Sequence, residues 1–147
     1  MPQQSITSES VGTKPLVRAS VTPLTMPTGL LGFEQFKKWH LINHPDEAPF
    51  SWLQVADEPE VAFLLVPPGL VTREYRPDVA DEDVASLGLT DAADALLLNI
   101  VTLNATAPAT VNLKGPIIIN RRTLMAKQVV PRNAAEYSVR YPLPTAH

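Results

Sequence analysis

The chain has 147 residues, a formal charge of −3, no cysteine and 15 prolines against 6 glycines. That length suits one domain, and 45% hydrophobic content is enough to fill its core. The absent cysteine excludes a disulfide framework and thiolate metal sites. Apolar runs such as 61–66 are far shorter than the ~20 residues that cross a bilayer, and so many prolines argue against a bundle of long helices.

Residues 1–14 are rich in Gln, Ser and Thr without an apolar period and are expected to be a flexible tail; the folded domain is expected over 15–147. No basic stretch leads into an apolar core before Val11, so a signal peptide is not expected. Leu16 to Thr25 is predicted as the first strand. Pro27 to Gly32 reads as a turn, with Gly29 and Gly32 able to take positive φ. Phe33 to Lys38 is either one helical turn or an extended connection. Lys38 to Asn43 then predicts a strand with Trp39 and Leu41 on one face.

A loop at Asp46–Pro49 is followed by a strand over Phe50–Ala56, a turn at Asp57–Pro59 and a continuous apolar strand over Val61–Val66, expected to be buried on both faces. Pro67-Pro68-Gly69 ends it, and Leu70–Arg76 reads as a continuing strand. Asp81 to Leu87 is predicted as a short helix, with Asp81 as its cap, Glu82 and Asp83 at its positive end, and Gly88 as its stop. Asp91–Asp94 adds another helical turn. Ala95–Leu103 is a long apolar strand interrupted by Asn99, and Asn104–Pro108 is a loop.

Three runs close the chain. Val111 and Leu113 alternate with Thr110, Asn112 and Lys114, a half-buried pattern over Ala109–Lys114 that ends at the Gly115-Pro116 turn. Ile117–Asn120 is an apolar strand closed by Arg121-Arg122. Met125–Val130 and Tyr137–Tyr141 complete the set. About nine strands with one or two short helices predict a mainly β fold: a small antiparallel domain resembling a closed or nearly closed barrel. The expected core is Trp52, Phe63, Leu65, Leu97, Ile100, Val111, Leu113, Ile118 and Val139.

Charge is unevenly distributed along the chain. Residues 1–110 carry −8 and residues 111–147 carry +5. The acidic portion discourages direct nucleic-acid binding, because phosphates are repelled, and favours encounter with a basic protein. The bland alternative is a dispersed solvated surface.

Catalytic chemistry finds little support. His40 and His44 would lie ~13 Å apart on a strand, too far to share a metal. Asp81, Glu82 and Asp83 lack the glycine and distal glutamate of a calcium loop, and helix capping explains them. There is no nucleophile elbow, phosphate loop or dinucleotide fingerprint. No catalytic residue, cofactor or metal is therefore expected. Arg121-Arg122 with Lys114 and Lys127 reads as edge protection, a phosphate patch or a partner contact. Asn112 and Asn120 offer amides either to a partner or to the backbone at strand ends.

The ordered set Asn112-Leu113-x-Gly115-Pro116-Ile117-x-Ile119-Asn120, then Gln128, then Tyr137-Ser-Val-Arg-Tyr-Pro-Leu143 resembles the flagellar assembly factor FliW family. Met26-Pro-Thr-Gly-Leu-Leu-Gly-Phe-Glu34 is similar to that family's Gly-Leu-Pro-Gly-Phe-Glu opening, with Leu31 where a proline is usual. The tail at 1–14 is a further departure. The resemblance spans about residues 20–143. It implies a cytoplasmic protein, monomeric when free, that works by partner exchange. The implied partners are the translational regulator CsrA, whose repression of flagellin mRNA it lifts, and flagellin itself. The candidate contact residues are Asn112, Ile117, Ile119, Asn120 and Arg121 on the C-terminal strands and Asp81, Glu82 and Asp83 in the acidic region. A small β-barrel module for another protein, an anion or an oligosaccharide is the alternative.

Overall fold

A computed structural model describes residues 19–144. The expected tail at 1–14 and the terminal His147 lie outside the described residues. The strands are β1 (Ser20–Thr25), β2 (Lys38–Asn43), β3 (Ser51–Val55), β4 (Glu58–Val66), β5 (Ala95–Thr102), β6 (Thr110–Val111), β7 (Ile117–Asn120), β8 (Ala126–Gln128) and β9 (Tyr141–Pro142). One α-helix, α1 (Asp81–Ser86), lies between β4 and β5. The domain is mainly β, and every ladder in it is antiparallel.

The sheet runs β1-β2-β3-β4-β5-β6-β9, with β7 paired to β5 and β8 to β7. It curls because β5 serves two partners along its length: Ala95–Leu98 pair with β7, and Val101–Thr102 pair with β6. The curl brings β8 round to β1, where one parallel bridge joins Thr25 to Met125 and the Thr25 N–H donates to the Leu124 carbonyl at 3.1 Å. The next donor that a parallel ladder would use is at position 27, which is proline, so the seam stops there. The barrel is thus nearly closed.

Alternation in the strands fills the interior. Leu24, Trp39, Leu41, Leu53, Val55, Leu65, Leu98, Ile117 and Ile119 form one buried cluster with Met26 and Leu30 from the first turn. Phe33 and Phe63 meet edge to face, with ring centroids 5.1 Å apart. A second cluster joins Val66, Val71, Tyr75, Val101, Val111 and Leu113. A third lies outside the barrel, where Leu87 at the end of α1 covers Ile118 and Val129. All four residues of β7 are therefore buried, Ile117 and Ile119 from within and Ile118 beneath the helix.

Several sequence expectations change. Leu70–Arg76 is not a strand: after a 3-10 turn at Pro68–Leu70 the chain runs irregularly and buries Tyr75, whose hydroxyl donates to the Leu113 carbonyl at 2.6 Å. Phe33–Lys38 makes turns and no helix. β4 begins at Glu58, inside the expected turn, because a bulge pairs Glu58 with Val55. The N-cap of α1 is Ala80, and Asp81 is already the first helical residue. Of Ala109–Lys114 only Thr110–Val111 is strand, since the Asn112 side chain turns the chain immediately after it. Tyr137–Tyr141 is a 3-10 exit and turn leading to β9. The period-2 reading does not apply there, and Val139, expected in the core, is half exposed. Leu65, Val111, Leu113 and Ile118 are buried as expected, and Trp52, Phe63, Leu97 and Ile100 are partly buried.

Candidate functional site

The first turn and the C-terminal strands meet at one end of the barrel. Gly29 has φ +65°, and a Cβ there would stand 2.6 Å from the Glu34 Cα, so backbone approach demands glycine. The Gly29 N–H bonds the Met26 carbonyl at 2.9 Å, Met26 and Leu30 point into the core, and Leu31 is left outside. The Glu34 carboxylate accepts from the Gly32 N–H at 3.1 Å. That bond, with a further backbone hydrogen bond and the Lys37 ammonium, holds its pKa below the ordinary glutamate value.

Opposite this turn, Asn112 Oδ1 accepts from the N–H groups of Lys114 and Gly115 at 2.9 and 3.1 Å. This local hydrogen bonding ends β6 and lets Gly115 approach β8. A Cβ on Gly115 would come within 2.8 Å of Gln128 Nε2. Gln128 ties the two motifs together: its Oε1 accepts from the Leu31 N–H at 3.0 Å, and its Nε2 donates to the Gly115 carbonyl at 3.1 Å. Between these walls lies a cleft of about 480 Å³ lined by Thr28, Gly29, Leu31, Glu34, Asn112, Lys114, Gly115, Gln128, Val130, Ala134 and Val139. Leu31, Val130 and Val139 are 78%, 69% and 50% exposed. Singly exposed apolar side chains are ordinary, but three around one cleft mark a surface suited to docking.

The residues proposed from sequence separate into three groups. Ile117 and Ile119 are 0% and 2% exposed inside the barrel, which leaves them no surface to offer a partner. Asn120 is 0% exposed, donates to the Leu87 carbonyl at 2.9 Å and accepts from the Arg122 N–H at 2.9 Å, so it pins α1 to the β7–β8 turn. Asn112 shapes the cleft wall. Arg121 is exposed, with its backbone N–H on the Asp94 carbonyl at 2.8 Å. Asp81 and Glu82 project from α1 into solvent. Asp83 is half buried and pairs with Lys127 at 2.6 Å.

Folding also redistributes the charge. Arg132 stands 3.5 Å from Asp81 and 3.8 Å from Asp78, and Arg122 stands 3.5 Å from Asp94. Acids remote in sequence from the basic C-terminal third therefore meet it in space. Asp46, Glu47, Asp57, Glu58 and Glu60 stay exposed around the β2–β3 and β3–β4 connections. Among the described residues no three His, Cys, Asp or Glu side chains gather as a metal site would require. A second hollow of about 420 Å³ at the other end is lined mainly by Leu41, Pro45, Pro49, Phe50, Pro67, Leu96 and Leu98, with His44 at its side. Sequence reasoning missed Leu31, Val130 and Val139 as a set, because turns that bring them together carry no periodic signal. The pairing of two motifs far apart in sequence was the available clue.

A nearly closed antiparallel β-barrel, with a cleft of mixed lining held at one end by backbone and amide hydrogen bonds, defines a small β-barrel protein. The family model described as FliW protein matches residues 5–143. The chain belongs to the FliW family. It is similar to the flagellar assembly factor FliW of Leptospira interrogans serovar copenhageni, 39% identical over 135 residues, which cover 88% of this chain and 89% of that one. The corresponding protein of Carboxydothermus hydrogenoformans is 37% identical over 121 residues, 82% of this chain and 77% of that one. A solved crystal structure of the flagellar assembly factor FliW superposes with a TM-score of 0.76 at 29% identity, covering 84% of this chain and 86% of that chain. No helix among the described residues is long and apolar enough to cross a membrane.

Proposed function

We propose that this protein is a cytoplasmic flagellar assembly factor that acts by stoichiometric binding, without catalysis or cofactor. It sequesters a CsrA-like translational regulator, relieving repression of flagellin mRNA, and binds flagellin, so that the two compete for it. The reading rests on family membership. The observation that carries it is the cleft: the motifs around Gly29–Glu34, Asn112–Gly115 and Gln128 build one wall-to-wall hydrogen-bonded surface around exposed Leu31, Val130 and Val139. Such a surface gives shape and apolar contact, while exposed acids assist approach of a basic protein.

Asp81, Glu82 and Arg121 belong to this proposal as exposed charges outside the lining of the cleft, with Arg132 3.5 Å from Asp81. Asp83 contributes less to the outward field because Lys127 neutralises it. The test is a pull-down with purified CsrA-like regulator and flagellin from the same organism. Retention of both supports the proposal; if neither is retained, it fails.

A further inference from the structure

We infer that the outer face of β1–β4, at the end of the barrel away from the cleft, is a second docking surface. Its occupant is a segment of a basic partner protein whose arginine seats against Trp52 and the carboxylates of Asp46 and Glu47. The inference rests on the reading that this protein binds a basic protein, and adds a surface that shares no lining residue with the cleft.

Strand register identifies the face. Side chains alternate across a strand. Leu24, Trp39, Leu41, Leu53 and Leu65 fill the barrel, so Val21, Ile42, Trp52 and Leu64 point outward. The ladders set these four side by side: Val21 opposite Ile42, Ile42 opposite Trp52, and Trp52 opposite Leu64. At a strand spacing of about 4.8 Å the row spans about 14 Å. The solvated face of an antiparallel sheet is ordinarily polar, yet this one carries an apolar row across four strands. Val21 is exposed, and Ile42, Trp52 and Leu64 are partly exposed. Leu64 also packs against the second cluster, but Val21, Ile42 and Trp52 belong to none of the three. Trp39 inside the barrel meets the rings of Phe36 and Phe63, whereas Trp52 meets no other ring among the described residues.

Charge beside the row selects the occupant. A hollow of about 400 Å³ is lined by Asp46, Glu47, Ala48, Phe50, Trp52 and Leu64. The Trp52 indole N–H donates to Glu47 Oε1 at 3.3 Å, which holds that carboxylate beside the ring. Among the described residues neither Asp46 nor Glu47 takes part in a salt bridge. Over 38–66 the acids are Asp46, Glu47, Asp57, Glu58 and Glu60, and the one Lys or Arg is Lys38, at the end of β2 away from Asp46. An indole beside two unpaired carboxylates fits a flat, weakly hydrated cation that stacks on the ring and bonds a carboxylate through its fork, which describes arginine better than lysine. The apolar row then receives the residues flanking that arginine. A second copy joined through this same face is disfavoured. About a two-fold axis the patch meets itself, and acids at both of its ends bring like charges together whichever ends are matched.

NMR of the indole N–H groups in the whole chain tests this. The chain has two tryptophans, and Trp39, buried and donating to the Phe36 carbonyl, is the internal control. The probe is a capped peptide with one arginine between valines; its control carries citrulline, the neutral isostere, in place of arginine. At millimolar concentration in about 0.15 M salt, the arginine peptide should shift the Trp52 signal saturably and leave Trp39 in place. The citrulline peptide should bind at least about fivefold more weakly, and so should the arginine peptide against Asp46→Asn combined with Glu47→Gln. Glutamine keeps an acceptor for the Trp52 indole, and both positions are exposed, so the melting temperature should match the parent. No Trp52 shift, equal binding of the two peptides, or movement of Trp39 along with Trp52 each overturns the inference. A Trp52 signal that moves on dilution of the free protein also overturns it, by making a second copy the occupant. Cross-relaxation from residues 1–18 to the Trp52 ring does the same, by making this chain's own N-terminal segment the occupant. The peptides contain neither the regulator nor flagellin, so their failure is separable from failure of the pull-down.

Discussion

Asn120 separates a structural amide from a partner contact. In Asn120→Ala, the Leu87 carbonyl loses its 2.9 Å donor and the Arg122 N–H loses its 2.9 Å acceptor. Leu87 is buried, so its carbonyl is left without a partner, a cost of about 1–3 kcal/mol. Arg122 is exposed and its N–H recovers water, so the second loss is smaller. The void left by the shortened side chain adds to the total, giving about 2–4 kcal/mol. At ~2–4 °C per kcal/mol for a domain near this size, Tm should fall by roughly 4–16 °C. Differential scanning calorimetry reads this, and surface plasmon resonance against immobilised regulator reads binding. A variant that melts like the parent while losing binding tenfold or more would show that the side chain contacts the partner and that its placement under α1 is wrong.

Four further outcomes are expected. Leu113→Ala, at a buried core position, should cost about 2–5 kcal/mol in chemical denaturation; an unchanged midpoint would refute the core assignment. Gly29→Ala should lower Tm clearly, because a positive φ of 65° and a 2.6 Å approach to Glu34 backbone both oppose a Cβ; a stabilised variant would contradict the turn geometry. Glu34 has a depressed folded pKa, so its stabilisation of the turn is present above the reference value of 4.5 and is lost as pH falls through the lower folded pKa; a carboxyl titrating above that value by NMR would disprove the Gly32 hydrogen bond. Asp81→Asn with Glu82→Gln should slow association with a basic regulator and flatten its salt dependence while leaving dissociation nearly unchanged, since exposed charges are screened within ~10 Å at 0.1 M salt; kinetics indistinguishable from the parent would remove steering from the account.

The fold was legible where burial is one-sided or complete. Trp39 and Leu41 on β2, and the apolar runs Val61–Val66 of β4, Ala95–Leu98 of β5 and Ile117–Ile119 of β7, carry their own pattern. Gly29 and Gly88 marked backbone positions that only glycine takes easily. Segments whose shape is set by distant hydrogen bonds were not legible. Residues 70–80 lack a period because Tyr75, Arg76 and Asp78 are held by Leu113, Tyr137 and Asn133, contacts spanning 38 residues or more. The same cause kept the cleft out of the sequence reading. Ile117 and Ile119 belong to the conspicuous motif because they fill the barrel, whereas the exposed Leu31, Val130 and Val139 come from separate turns and share the cleft only in the folded chain. Charge counting along the chain overstated the acidic field, because Lys127 and Arg132 fold back onto α1 and Arg122 onto Asp94.

Competition calorimetry tests the central claim most directly. The preformed complex of this protein with the regulator is titrated with flagellin, and the free protein is titrated with each partner alone. The account predicts saturable binding to both partners, displacement of the regulator by flagellin, and loss of at least about tenfold in affinity for a partner seated in the cleft on Val139→Asp, equivalent to about 1.4 kcal/mol. Absence of binding to either partner at high micromolar concentration, in a protein that melts cooperatively, would contradict it.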